Sequence, residues 1–429
     1  MKLIHLFYFI TIVLFWSCSD EKPITHSEEY EAYLSVTKTS QYSIQDDINF
    51  WSDRLMRMPN DEASKIKVAG LLAANFRKTG KIEMLQYSDS LYHHLLETTT
   101  STKAGLYLGL AQNSITQHQF KRAQGYAEQA LIEGGREAAS LLVITDVALE
   151  LNNIQEAKKT LQRFTNKNSF AHLVRQSKLQ DHEGSLESAI LTVEKGFNRI
   201  KGNKDLYCWT LSNLGDMYGH AGRIADAYRA YLSVLQKDPE YDYALKGIAW
   251  IALSHDKNYS EAKRIISVLA SRSRMPEAHL MLAEIAELQQ DEQEKIKQLK
   301  SFVALTDIPG YKNMYAKYLA DLYAEDLNEP EKSLAIAEEE ITNRPTPQSF
   351  DLKAWALLQL GRKQEAFAIA KKYVVGKTFE PETAYHLGVI YQANNFQDEA
   401  ETYLEEALKS SFELGPCTTV KIQNALQKI

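Results

Sequence analysis

The chain has 429 residues, 44% hydrophobic and 24% charged, which is enough apolar side chain to bury a sizeable core. With 49 basic against 56 acidic residues its formal net charge is −7 and it carries no basic block, which argues against nucleic acid as a partner. Its three cysteines, Cys18, Cys208 and Cys417, are too few and too widely spaced for a disulfide framework or a cysteine metal site.

In chain order, Met1 and Lys2 lead into LIHLFYFITIVLFWS, an apolar run closed by a small residue. It is too short for a comfortable membrane span, which needs about 20 apolar residues, and has the layout of a secretory signal peptide. The stretch FWSC resembles the bacterial lipobox, after which Cys18 becomes the acylated first residue. Ser17 and Cys18 match that pattern, whereas Phe15 and Trp16 replace its aliphatic and small residues; aromatic boxes of this kind resemble those of Bacteroidota lipoproteins. The resemblance implies a signal peptide over 1–17, a lipidated cysteine and polar tether over 18–45, and a lipoprotein of the cell outer membrane on its periplasmic or surface face. Ser19-Asp20-Glu21 resembles the acidic tag of surface-exposed members. Removing 1–17 leaves side chains balanced at 48 − 56 = −8.

The rest of the chain repeats. The clearest unit is LSNLGDMYGHAGRIADAYRAYLSVLQKDP, residues 211–239, which resembles a tetratricopeptide repeat through Leu211, Leu214, Gly215, Tyr218, Ala227, Tyr231 and Pro239. Small residues at Gly215 and Ala227 let two helices cross closely, and Gly222 suits a left-handed turn between them. The period recurs as Ala123 and Ala157, and as Ala354/Ala366 against Gly388/Ala400, each 34 residues apart (157 − 123, 388 − 354, 400 − 366). Residues 61–97 read as an irregular first repeat with a longer turn at 78–81. Residues 169–200 and 276–309 keep the helical period without the signature residues. Single insertions are expected near Lys257 and Asn328, with Pro330 in a loop.

The fold expected is all-α, a right-handed α-solenoid of tetratricopeptide-like helical hairpins. It divides into degenerate and regular hairpins over 46–200, the best-matching pair over 201–275, further hairpins over 276–415 and a capping helix over 416–429, with Val420, Leu426 and Ile429 covering the last hairpin. In that family the first helix of each hairpin lines a concave face that receives a peptide or a partner's helix. The resemblance points Trp209, Ser212, Asp216, His220, Tyr243, Lys246 and Trp250 inward as a partner-binding groove, with Asp351, Trp355 and Tyr385 as a second one. Aromatic anchors of this kind dominate interface energies; packing between hairpins is the alternative role for Trp209 and Trp250.

No catalytic residue, cofactor or metal ligand set is expected, since the sequence holds no CxxC, HExxH, GxSxG or glycine-rich phosphate cradle. The groove also lacks the lysine, asparagine and arginine set of chaperone-type carboxylate clamps. The function implied is a membrane-anchored, non-enzymatic scaffold for a protein or peptide of the cell envelope. The alternatives are a glycan-capture lipoprotein resembling the SusD family and, third, an enzyme with an unrecognised site.

Overall fold

The computed structural model describes residues 22–36, 40–200 and 202–429; Cys18 and the expected signal peptide lie outside them. A short helix α1 (Glu31–Leu34) and a single helix α2 (Ser40–Arg57) precede a run of antiparallel pairs. These are α3/α4 (Glu62–Thr79, Ile82–Thr98), α5/α6 (Ala104–Thr116, Phe120–Glu133), α7/α8 (Glu137–Glu150, Ile154–Gln162), α9/α10 (Phe170–His182, Leu186–Phe197) and α11/α12 (Lys204–His220, Ile224–Lys237). They continue as α13/α14 (Asp242–Ser254, Tyr259–Arg272), α15/α16 (Pro276–Leu288, Glu292–Thr306), α17/α18 (Ala316–Ala324, Pro330–Asn343), α19/α20 (Pro347–Gln359, Lys363–Tyr373) and α21/α22 (Pro381–Ala393, Gln397–Leu408). Helix α23 (Ser411–Leu426) closes the chain.

One backbone feature marks every pair. Gly80, His118, Asn152, Gly184, Gly222, Lys257, Gln290, Asn328, Gly361 and Asn395 each take a positive φ in the turn between the two helices. They recur at spacings from 184 − 152 = 32 to 118 − 80 = 38 residues. A left-handed residue there stops the first helix and reverses the chain in very few residues. Five positions later comes Ala123, Ala157, Ala189, Ala227, Ala262, Ala366 or Ala400, each at most 1% exposed, where the helices cross. At Gly215 an added Cβ would come within 2.6 Å of the Tyr231 ring, and Gly247 abuts the same ring from the next pair. Tyr231 therefore fills the space that two glycines leave.

The fold is a solenoid of tetratricopeptide-like hairpins. First helices touch along the array (α5 with α7, α7 with α9, α17 with α19, α19 with α21) and form the inner layer, while second helices form the outer one. The array also meets itself. Tyr311 Oη donates to the Gly80 carbonyl, Asn343 Nδ2 to the His118 carbonyl at 2.6 Å, and Arg344 pairs with Glu150 at 3.2 Å. The turns of the early hairpins thus rest on the loops of the later ones, and burial beside Arg344 pushes the His118 imidazole down to about 4.

Three expectations need correction. The turn at 78–81 is short, and the extra length of the first repeat lies in its helices, of 18 and 17 residues. Pro330 is the first residue of α18 rather than a loop residue, a position where a missing N–H costs nothing. Residues 24–35 are not a free tether: Ile24 and Thr25 donate backbone N–H groups to Asp256 at 2.9 Å, and Tyr30 Oη donates to Glu261 at 2.7 Å. Tyr30 and Leu34, four apart, are 1% and 8% exposed against α12 and α14, a helical spacing hidden in a polar stretch.

Candidate functional site

The inner face can be read from the turns. Counting back 13, 10, 6 and 2 residues from Gly222 gives Trp209, Ser212, Asp216 and His220; the extra turn residue at Lys257 moves the equivalents in the next pair to Tyr243, Lys246 and Trp250. Of these, Trp209 and Tyr243 are 40% and 39% exposed. Ser212 is buried, and its hydroxyl donates to the Trp209 carbonyl at 3.0 Å, so it presents nothing to a partner. Asp216 accepts from Tyr231 Oη at 2.6 Å and Tyr243 Oη at 2.7 Å, and Lys246 Nζ lies 4.4 Å from the centre of the Tyr243 ring. The two charges are held by tyrosines rather than by each other.

Much of the remaining inner face is occupied by the chain's own C-terminus. After α22 the backbone breaks at Gly415 (φ 80) and Pro416, and α23 lies against the first helices α11, α13, α15 and α21. Trp250 Nε1 donates to the Phe412 carbonyl at 3.0 Å, and the Cys417 N–H donates to Glu284 Oε1 at 3.3 Å. Lys421 Nζ pairs with Glu325 Oε2 at 2.6 Å, while the other Glu325 oxygen accepts from Trp355 Nε1 at 3.0 Å. Gln392 Nε2 donates to the Ala425 carbonyl at 2.8 Å. His220 and Glu413 approach at 3.5 Å.

The last helix was expected to cap the final hairpin through Val420, Leu426 and Ile429. Leu426 does pack there, beside Leu404 and Ala407, but the buried residues are Ile422 and Ala425, and Val420 and Ile429 are 49% and 41% exposed. Helix α23 thus covers the final hairpin, as expected, but mainly through Ile422 and Ala425, and it also extends along the inner face as a strut. Asp351, Trp355 and Tyr385 are correspondingly 3%, 2% and 7% exposed; Trp355 and Tyr385 sit in a packed core with Ile422 and Ala425, and Asp351 is held by Thr383 and His386.

Between α23 and the first helices lies a cavity of about 500 Å³. Its walls include Asp216, Tyr243, Lys246, Trp250, Lys317 and Tyr318, with Glu284 and Glu382 deeper in. Tyr318, 45% exposed, stands with Tyr243 on the cavity wall, and Trp209 is exposed on α11 outside the cavity lining. Tyr318 was missed because α17 keeps few signature residues, although counting back from Asn328 locates its neighbour Lys317 on the inner face. A wider, open depression of about 780 Å³ near Arg54, Met58 and Ile66 lies at the N-terminal end of the array.

Burial pushes the Glu284 carboxyl up to about 7, against the Cys417 N–H that favours its charged form. The folded chain therefore binds this proton more tightly than the unfolded chain, whose carboxyl titrates near 4.5. The resulting stabilisation is complete below about 4.5 and is lost as the pH rises through about 7. Thermal unfolding compared at pH 5 and pH 8 should show this decline in the native protein and less of it in Glu284→Gln. Equal pH dependence in both proteins would contradict the assignment.

Deeper along α17, α19 and α21, Asp321, Glu382 and His386 converge, with Lys317 paired to Glu382 and His386 Nδ1 2.8 Å from Asp351 Oδ2. Burial and the neighbouring Glu382 hold Asp321 well above the usual carboxylate range. Burial opposes the charged imidazole, but Asp351, Asp321 and Glu382 carry His386 up to about 9. None of Asp321, Glu382 and His386 was singled out from the sequence, because the three come from two helices about sixty residues apart; the only local signal is Glu382 and His386 at i and i+4.

No protein-family model matches the chain, and no curated protein matches it. Among solved structures, a tetratricopeptide repeat protein from Parabacteroides merdae is similar at 14% identity over 68% of this chain and 98% of its own, with a TM-score of 0.34. Pseudomonas aeruginosa pilF is similar at 12% identity over 50% and 97%, TM-score 0.37. Human IFIT1, solved as a dimer with m7Gppp-AAAA, is similar at 12% identity over 89% and 92%, TM-score 0.42. The hairpins themselves carry the fold assignment.

Proposed function

We propose that the chain is a non-catalytic scaffold, lipid-anchored at Cys18 to the outer membrane, that holds a protein or peptide of the cell envelope on its concave face. The observation that carries the reading is the pair of exposed tyrosines, Tyr243 and Tyr318, on the wall of the inner cavity, with Trp209 exposed on the neighbouring first helix α11, while α23 occupies much of the inner face of the later hairpins. Large aromatic side chains left open on a concave surface are the usual anchors of a protein interface. The short connections between helices favour this reading over glycan capture by inserted loops.

The anchor reading has a geometric consequence. The N-terminal segment binds α12 and α14 on the outer layer, and only a few residues separate Cys18 from Pro23, a reach of about 20 Å. A lipid at Cys18 would hold the outer side of these two hairpins near the membrane and turn the concave face away from it.

Two measurements test the reading. Labelled palmitate should enter the native protein and not Cys18→Ala; label retained by the variant would contradict lipidation at this residue. An anchoring aromatic is worth about 2 kcal/mol or more. Trp209→Ala/Tyr243→Ala should therefore weaken partner recovery by at least about 30-fold, and unchanged recovery would contradict this choice of residues.

A further inference from the structure

The proposed scaffold role gives no part to the cluster formed by α17, α19 and α21. One coordinating atom from each of Asp321, Glu382 and His386 lies within 4.8 Å of the other two. Glu382 and His386, four residues apart, share a face of α21, and Asp321 meets them from α17. The His386 ring is 2% exposed and stacked on Trp355 at 4.1 Å and 12°. Its Nδ1 is engaged by Asp351, which also accepts from Thr383 Oγ1 at 3.1 Å.

A carboxylate that holds one ring nitrogen and thereby orients the other is the common support of a metal-ligating histidine. Oδ1 of Asp321 is buried with no hydrogen-bond partner among the described residues, and so is Oδ1 of Asp351. Buried carboxylate oxygens are costly to leave unpaired. Lys317 pairs with Glu382, and a carboxylate has a second oxygen to give.

We propose that Asp321, Glu382 and His386 bind a divalent first-row transition-metal ion of the zinc or manganese class, with Asp351 as a positioning residue. One imidazole and two carboxylates suit such ions, with water completing the shell. Glu382 and Lys317 line the inner cavity, which gives the ion a path from solvent. Bound there, it ties the hairpin of α17 to that of α21 across the one between them.

The test uses Zn²⁺ on the full-length protein. After loading and dialysis into metal-free buffer, mass spectrometry should find about one zinc per chain. His386→Gln and Glu382→Gln should lose it, Asp351→Asn should weaken calorimetric affinity about 10- to 100-fold, and His94→Gln, on α4 where it hydrogen-bonds Lys65, should retain zinc. No zinc on the native protein, or equal zinc on the native protein and both ligand variants, overturns the proposal. Where circular dichroism shows a ligand variant unfolded, the Co²⁺-loaded native protein decides: visible ligand-field bands of imidazole and carboxylate coordination are expected, and their absence overturns the site.

Discussion

Removing residues 411–429 is expected to destabilise the later hairpins selectively. Burial of Ile422 contributes about 2 kcal/mol, and leaving Glu325 without Lys421 costs about 1 to 3 kcal/mol more. Trp250 and Trp355 each lose surroundings on that side, since the Phe412 carbonyl and the Ile422 side chain leave with the helix. In a repeat array stability is held between neighbours, so loss should be local. Hydrogen exchange should accelerate in α13, α15, α19 and α21, tryptophan emission should shift to the red, and α5 to α8 should keep their protection. Unchanged exchange in α13 to α21 would mean that α23 is not a strut.

Tyr231→Ala should be the most damaging single substitution in the best-matching pair. The ring is 4% exposed, and Gly215 and Gly247 are shaped around it from two successive first helices. Removing it leaves a cavity between hairpins that neither glycine can fill, at a cost of about 3 to 5 kcal/mol. Tyr231→Phe keeps the volume and loses only the donation to Asp216, which still accepts from Tyr243, so its cost should be about 1 kcal/mol. Urea unfolding followed by tryptophan fluorescence separates the two; similar midpoints for both variants would place the weight on the hydrogen bond instead of the ring.

The repeat was legible because its markers are local. Ala123, Ala157, Ala227, Ala366 and Ala400 recur at a period, and Gly222 announces its turn. The insertions expected near Lys257 and Asn328 coincide with left-handed residues there. Less legible were the turns at His118 and Gln290, where ordinary side chains take a conformation that glycine or asparagine would have signalled. What the sequence hid are contacts between distant elements. The docking of Tyr30 on Glu261, the resting of the Gly80 turn on Tyr311 and the seating of α23 on Glu284 and Glu325 all depend on how far the superhelix winds. That winding is summed over many small rotations between hairpins, which no local pattern encodes.

The groove illustrates the same division. Trp209, Asp216, Tyr243, Lys246 and Trp250 were expected on adjacent inner helices, and register places them there. Whether each is open depends on α23. It covers Trp250 and packs on Trp355 and Tyr385, and it leaves Tyr243 exposed on the cavity wall and Trp209 exposed on α11. Tyr318 joins Tyr243 on that wall from a hairpin too degenerate to have drawn attention.

The most direct test of the scaffold reading is photo-crosslinking in intact cells, with the photoreactive residue placed in turn at Trp209, Tyr243 and Tyr318 on inner-layer helices and at Ile132 and Leu191, exposed on outer-layer helices. The account predicts the same discrete adduct from the inner positions and none of it from the outer ones. Adducts from Ile132 and Leu191 with none from the inner positions would contradict it.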